Sequence, residues 1–269
     1  MELKLWQVDA FADKPFEGNP AAVVPLTQWL SDDAMQAIAA ENNLAETAFF
    51  VPSGAGKYDL RWFTPEVEVP LCGHATLASA HVIFNHLATG LNRVDFSTKS
   101  GILTVERGDA GLLAMALPAY KSDVHPDAED FREALEEALD VTPLEVLRAN
   151  YAFAVFKTAE DVLQIEADAV ADTIEEFDEE CLIVTAPGSD MGFDFVSRFF
   201  APGKGVHEDP VTGSAHAALV PFWAKRLGKP KLLARQVSQR GGTLQCEEQG
   251  ERVLLKGKVA PYLEGVIRI

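Results

Sequence analysis

Short apolar stretches with strand-like alternation open the chain. LKLWQVDAF (residues 3–11) and PAAVVPL (residues 20–26) are joined by the turn-rich ADKPFEGN. Ser31 is placed to cap a helix through DDAMQAIAAEN, and TAFFVP after it reads as a strand. Two later segments have another pattern. The stretches that follow Gly73 and Gly213 are apolar almost all round, ATLASAHVIF having only Thr, Ser and His as polar members. A helix without a wet face belongs in a core, so each is expected to be wrapped by strands. Pro221, about two turns into the second helix, frees a carbonyl near Ala217 and predicts a kink. Thr142-Pro143-Leu144-Glu145 has the form of a capping box with proline at the first helical position, which predicts a helix there.

The pattern occurs twice. Arg61-Trp62-Phe63-Thr64-Pro65 matches Arg198-Phe199-Phe200-Ala201-Pro202 at an offset of 137 residues. PLCGHATLASA aligns with PVTGSAHAALV by placing Gly73 on Gly213, an offset of 140. FSTKSGILTVE (96–106) matches VSQRGGTLQCE (237–247) at an offset of 141, keeping Ser, a basic residue, Gly, Leu and Glu in register. Three segments in the same order at nearly constant offset mark an internal duplication. The expected fold is α/β (α+β) with two pseudo-symmetric lobes, each a β-barrel-like sheet around a central apolar helix. The N-terminal lobe is expected over 1–118 and the C-terminal lobe over 119–269, with the last strand free to return to the first lobe. The boundary falls near LPAYKSDVHPD.

Charge narrows the partners. The 269 residues carry 23 basic and 41 acidic side chains, a net −18, which repels nucleic-acid backbones and anionic membranes. The acidic runs PDAEDFREALEEALD and EADAVADTIEEFDEE (166–180) read as solvated helix faces. Cys72, Cys181 and Cys246 form no CxxC pair, and neither a cleavable leader nor an apolar run approaching the roughly 20 residues of a membrane span is evident. A reduced, cytoplasmic protein is expected, without nucleic-acid or membrane partners.

The candidate chemistry sits at the two helix starts. A helix N-terminus presents unpaired N–H groups and partial positive charge, and a glycine there admits a ligand close to the backbone. Gly73-His74 and Gly213-Ser214 are two such mouths, and pseudo-two-fold symmetry would open both on one cleft suited to a small carboxylate. Glu46, between the turn-like Asn42-Asn43 and an apolar strand, is the leading group to take and give a proton. Asp209, held extended by Pro210, can orient a substrate or cap the helix, whereas Glu208 is expected to face water. The positive helix end is expected to keep His74 neutral. His81, His86 and His216 read as core or surface residues. No phosphate-binding G-x-x-x-x-G-K-[ST] loop, no H-E-x-x-H and no G-x-S-x-G elbow around Ser214 occurs, so no metal and no cofactor is expected.

VDAF…GNPAAVV, NLAETAFF, RWFTPEVEVPLCGHATLASA and RFFAPGKGVHEDPVTGSAHAAL together resemble the phenazine-biosynthesis PhzF-type isomerase family over nearly the whole chain. The resemblance implies a diaminopimelate-epimerase-like fold with its active site between the lobes, and a homodimer. It assigns Glu46 as the acid/base, His74 with Gly73 and Asp209 with Gly213 and Ser214 as substrate-holding and proton-assisting groups, and Asn19 as a site-lining residue. The related epimerases place a cysteine before the glycine of each mouth, where this chain has Cys72 and Thr212. A hydroxyl cannot replace a thiolate as a base at neutral pH. Two-thiol racemisation is therefore doubtful, and a proton shift on one face of a small carboxylate-bearing substrate is expected. An amino-acid racemase or epimerase using Cys72, or a non-catalytic small-ligand-binding protein on the same fold, are the alternatives.

Overall fold

The computed structural model describes residues 1–269, which divide into a first unit, Met1–Ala116 with Lys256–Ile269, and a second, Leu117–Leu255. The first unit opens with β1 (Glu2–Ala10), β2 (Asn19–Pro25), α1 (Asp32–Asn42), β3 (Glu46–Gly54), β4 (Lys57–Phe63) and the two-residue β5 (Glu68–Val69). Then come α2 (Gly73–Val82), extended by a π-helical turn over Ile83–Leu87, and β6 (Arg93–Thr98), β7 (Gly101–Arg107) and β8 (Leu113–Pro118). The second unit contains β9 (Asp123–Val124), α3 (Ala128–Leu139), β10 (Glu145–Arg148), β11 (Ala152–Val155), α4 (Ala159–Leu163) and α5 (Ala167–Glu176). It continues with β12 (Leu182–Pro187), β13 (Phe195–Ala201), β14 (Val206–Glu208), α6 (Gly213–Leu227), β15 (Lys231–Gln236), β16 (Gly242–Gln249) and β17 (Arg252–Gly257). The last strand, β18 (Val259–Arg268), belongs to the first unit, where it pairs antiparallel with β1.

The duplication seen in the sequence is a duplication of strand pairing. In the first unit β1 and β2 are antiparallel, β2 and β3 parallel, β3 and β4 antiparallel, β4 and β6 parallel, and β6 and β7 antiparallel. In the second, β10 through β13, β15 and β16 repeat that order and those directions. The short strands β5 and β14 each add antiparallel to one end of β4 and β13. Both lead into a helix mouth, Gly73 lying four residues beyond Val69 and Gly213 five beyond Glu208.

Each unit buries its apolar helix. In α2, His74 through Ala80 and Val82 are all buried, and the helix touches β1, β2, β3, β7 and β18. Its two buried hydroxyls are satisfied within the helix: Thr76 donates to the Cys72 carbonyl at 2.6 Å and Ser79 to that of Ala75 at 2.8 Å. The remaining small side chains let strands approach from several sides. In α6 the burial covers Ala215 through Val220, Trp223 and Ala224. Pro221 does not end this helix. The Ala217 carbonyl it deprives of a partner accepts the Tyr120 N–H at 3.1 Å, so the helix continues to its left-handed Gly228 cap.

Amphipathic helices cover the outer faces. Ser31 caps α1 as expected, accepting the Ala34 N–H, and Met35, Ile38 and Ala39 pack on Phe49 and Phe63. The acidic runs are α3 and α5, whose buried Phe131, Leu135, Val170 and Ile174 join the second unit's outer core. One expected element is corrected. The segment after Thr142 forms a strand, β10, and not a helix, because Glu145–Arg148 finds β11 as an antiparallel neighbour. Ladder bonds and burial of Val146 and Leu147 outweigh the local capping signal. No helix is long and apolar enough to cross a membrane.

Candidate active site

At the first mouth, three reactive side chains meet. Glu46 is the first residue of β3, set there after the left-handed turn at Asn43 that ends α1. His74 is the second residue of α2, and Cys72 precedes Gly73. The Glu46 Oε2 atom lies 3.0 Å from His74 Nε2, and the Cys72 sulfur 3.5 Å from His74 Nδ1. The Glu46–His74 contact is at ion-pair distance but outside hydrogen-bond alignment, leaving capacity on both groups for a third partner. Their potential ligand atoms lie within 4.8 Å of one another. The imidazole stands between the other two, with sulfur nearest one nitrogen and carboxylate nearest the other.

Electrostatics separate the roles. Burial opposes charge on His74, yet the neighbouring Cys72 sulfur and the Glu46 carboxylate outweigh it and raise the imidazole well above the ordinary histidine value. This corrects the expectation of a neutral His74: a carboxylate in contact outweighs the partial charge of a helix end. Burial, reinforced by Glu46, pushes the Cys72 thiol up to about 11. The thiol thus stays protonated at neutral pH and is no base.

At the second mouth the polar side chains bond to one another. Asp209 follows β14, its N–H donating to the Phe199 carbonyl at 2.9 Å. Its carboxylate accepts the Thr212 hydroxyl, and its carbonyl accepts Gln236 Nε2 at 2.7 Å. Gln236, fully buried, also accepts the Thr212 N–H at 2.8 Å and donates to the Thr212 hydroxyl oxygen at 3.2 Å. The Thr212 hydroxyl is spent on these contacts. Ser214 Oγ lies 3.3 Å from the Tyr151 hydroxyl, and the Ser214 carbonyl accepts Asn150 Nδ2 at 3.3 Å. His216 is buried and pushed down to about 4 by burial, which keeps it neutral as it donates from Nδ1 to the Thr212 carbonyl at 2.8 Å. Neither Cys72 nor Thr212, the residues at the N-caps of α2 and α6, makes a side-chain capping hydrogen bond.

Asn19, at the start of β2, is fully buried. Glu208 corrects an expectation: it is mostly buried and bidentate to Arg198, with Nε to Oε1 at 2.7 Å and Nη2 to Oε2 at 3.0 Å. Arg61 and Glu68 make the same fork in the first unit, both contacts at 2.8 Å. Sequence reasoning missed Gln236, Tyr151 and Asn150, which lie in no motif. The Arg–Glu pairs had left a signal, since Glu68 and Glu208 each stand five residues before a mouth glycine. Arg61 holds the Glu68 carboxyl down at about 2, from an ordinary 4.5. A carboxyl depressed in the fold stabilises above its unfolded value and loses that contribution as pH falls through the folded one. The melting-temperature advantage of wild type over Glu68→Gln is therefore expected to be full at pH 6 and to fade between about pH 4.5 and pH 2. An advantage that grew on acidification would contradict the ion pair.

A cavity of about 370 Å³ lined by Ala12, His81, Arg107 and Lys258 includes none of the residues above and lies at the other end of α2. The chemistry concentrates at the mouths. Comparison with known proteins agrees in kind. An uncharacterized isomerase of Pseudomonas aeruginosa is 47% identical over 270 residues, covering all of both chains. A crystal structure of a phenazine biosynthesis protein of the PhzF family from Enterococcus faecalis matches with a TM-score of 0.91 at 41% identity, again over all of both chains. A hydroxyproline epimerase from Agrobacterium vitis, solved with bound trans-4-hydroxy-L-proline, matches with a TM-score of 0.64 over 99% of this chain and 92% of its own. At 9% identity it shows the shared epimerase-like fold alone. The family model described as phenazine biosynthesis-like protein matches residues 8–265, and with a duplicated fold and curated relatives named isomerases, this chain belongs to the PhzC/PhzF family.

Proposed function

We propose that the protein is a cofactor-independent isomerase that moves a proton on a small carboxylate-bearing substrate, with Glu46 as acid/base. The observation that carries this reading is the Glu46–His74 pair at 3.0 Å beside an uncapped helix start. In the proposed step Glu46 takes a proton from a carbon acidified by neighbouring unsaturation or a carbonyl. The electron pair moves into the conjugated system, and the proton returns to a different carbon of the same face. His74 steadies the carboxylate and donates to the developing anion, which the amides at Gly73 also stabilise. Asp209, Gly213 and Ser214 are proposed to hold the substrate, and Asn19 to line the site. A cytoplasmic homodimer is part of the same proposal, and light scattering giving the mass of one chain would contradict it.

The test is incubation in D2O with a panel of small acids: cyclic diene carboxylates, proline and trans-4-hydroxy-L-proline. The expected result is deuterium entering one carbon as a double bond shifts, without inversion at an amino-acid centre. If ligands raise the melting temperature and no carbon-bound proton exchanges with any of them, the binding-protein reading is preferred. The racemase reading makes Cys72 essential. A thiol pushed up to about 11, in a chain with threonine at the equivalent position of the second half, leads us to expect that Cys72→Ala keeps activity within a few-fold. Loss of turnover in a folded Cys72→Ala protein would favour the thiol mechanism.

A further inference from the structure

We propose that the pairs Arg61–Glu68 and Arg198–Glu208 are positioning residues for the reaction, each fixing the lead-in of one helix mouth so that its reactive groups face substrate. The inference rests on the reading of the mouths as the site. Four residues separate each glutamate from the mouth glycine, 69–72 and 209–212. Each lead is tied at its start by the bidentate fork and again two residues later at a proline carbonyl. Ser100 Oγ donates to the Pro70 carbonyl and Ser238 Oγ to the Pro210 carbonyl, both at 2.8 Å. A third tie closes each mouth from inside the helix, where Thr76 and His216 donate to the carbonyls of Cys72 and Thr212. A planar guanidinium gripping both carboxylate oxygens fixes orientation as well as distance, which lysine cannot do.

The duplication is what separates positioning from ordinary sheet stability. Outside the fork, the two arginines have diverged. Arg61 Nη1 reaches Asp32 at 2.8 Å, and Lys99 joins it on Glu68. Arg198 Nη1 instead donates to the carbonyls of Val162, Leu163 and Ile165. What both halves keep is the stacking on the next aromatic but one, Phe63 or Phe200, and the tie to the lead-in. A displacement of about 1 Å at a reacting group can cost a factor of roughly 100 in rate. Two short leads held at three points each are suited to prevent such a shift.

Two measurements on the ligand-free, full-length protein test the assignment. The first is the NMR titration of the His74 ring, which faces Glu46 and Cys72. The second is hydrogen exchange at the Gly213 and Ser214 amides. Arg61→Lys keeps the charge and loses the fork, and is expected to lower the His74 midpoint by moving the imidazole off Glu46 while leaving the Gly213 and Ser214 amides unchanged. Arg198→Lys is expected to speed exchange at those amides and leave His74 unchanged. Glu68→Gln gives the first reading again if Arg61→Lys folds poorly. Lower melting temperatures with both local readouts unmoved, or both readouts moved alike by either variant, would show a purely structural role and overturn the proposal. Because no substrate enters, absence of turnover on the acid panel sinks the isomerase reading without touching these outcomes.

Discussion

Glu46→Gln is expected to lower catalysed proton exchange by about 10²- to 10⁴-fold, the range for removing a positioned general acid/base. Glutamine preserves size and shape at the head of β3, so Ala48, Phe49 and Phe50 behind it stay buried as before. What disappears is the carboxylate proposed to take the proton, which stands 3.0 Å from His74. The variant has a second signature. Without the charge, burial acts on His74 with less opposition, and the ring's titration midpoint falls. The sign of the stability effect follows. A histidine raised in the fold stabilises fully below its unfolded value near 6.5 and loses that contribution as pH rises through the folded value. The stability gap between wild type and Glu46→Gln is therefore expected to be wide near pH 6 and to narrow in alkaline buffer. Unimpaired exchange in the variant, with the true substrate present, would remove Glu46 from the mechanism.

The architecture was legible because duplication leaves its trace in several independent segments. Strand alternation, the wet and dry helices, and the two glycine-led mouths each rest on local periodicity, and the repeated strand pairing turns them into two copies of one plan. The failures have a physical pattern. Thr142-Pro143-Leu144-Glu145 carries a helix-start signal four residues long, but β11 supplied a ladder that local sequence does not record. Glu208 was expected in water because a lone acidic residue before a proline has no partner visible along the chain. Its partner is ten residues back on a neighbouring strand. His74 was expected neutral from the helix end alone, since the approach of Glu46, twenty-eight residues away, is a tertiary fact. Gln236 had no signal at all: its three bonds to Asp209 and Thr212 exist only once β15 lies beside β13. Sequence thus located the two mouths and left unseen the polar scaffold that holds them.

That scaffold is unequal in its two copies, and the inequality predicts a large difference in stability. Arg198 is 9% exposed, and its fork on Glu208 is mostly shielded from water. Arg198→Met fills much of the same volume, removes the guanidinium that lies over Phe200, and strands both the Glu208 carboxylate and the carbonyls of Val162, Leu163 and Ile165. Breaking a buried pair by removing one partner costs about 3–5 kcal/mol. Arg61→Met leaves less behind. Asp32 is 74% exposed and can turn to water, and Glu68 keeps Lys99 at 2.6 Å. The loss there is expected to be about 1–2 kcal/mol, that of a hydrogen bond to a charged group with a partner in reserve. Urea unfolding compares the two at unchanged slope, and for a protein of this size the difference corresponds to several degrees in Tm. Equal losses would mean that neither the reserve partner Lys99 on Glu68 nor the carbonyls left behind by Arg198 matters, and that the contrast between the two clamps does not hold in solution.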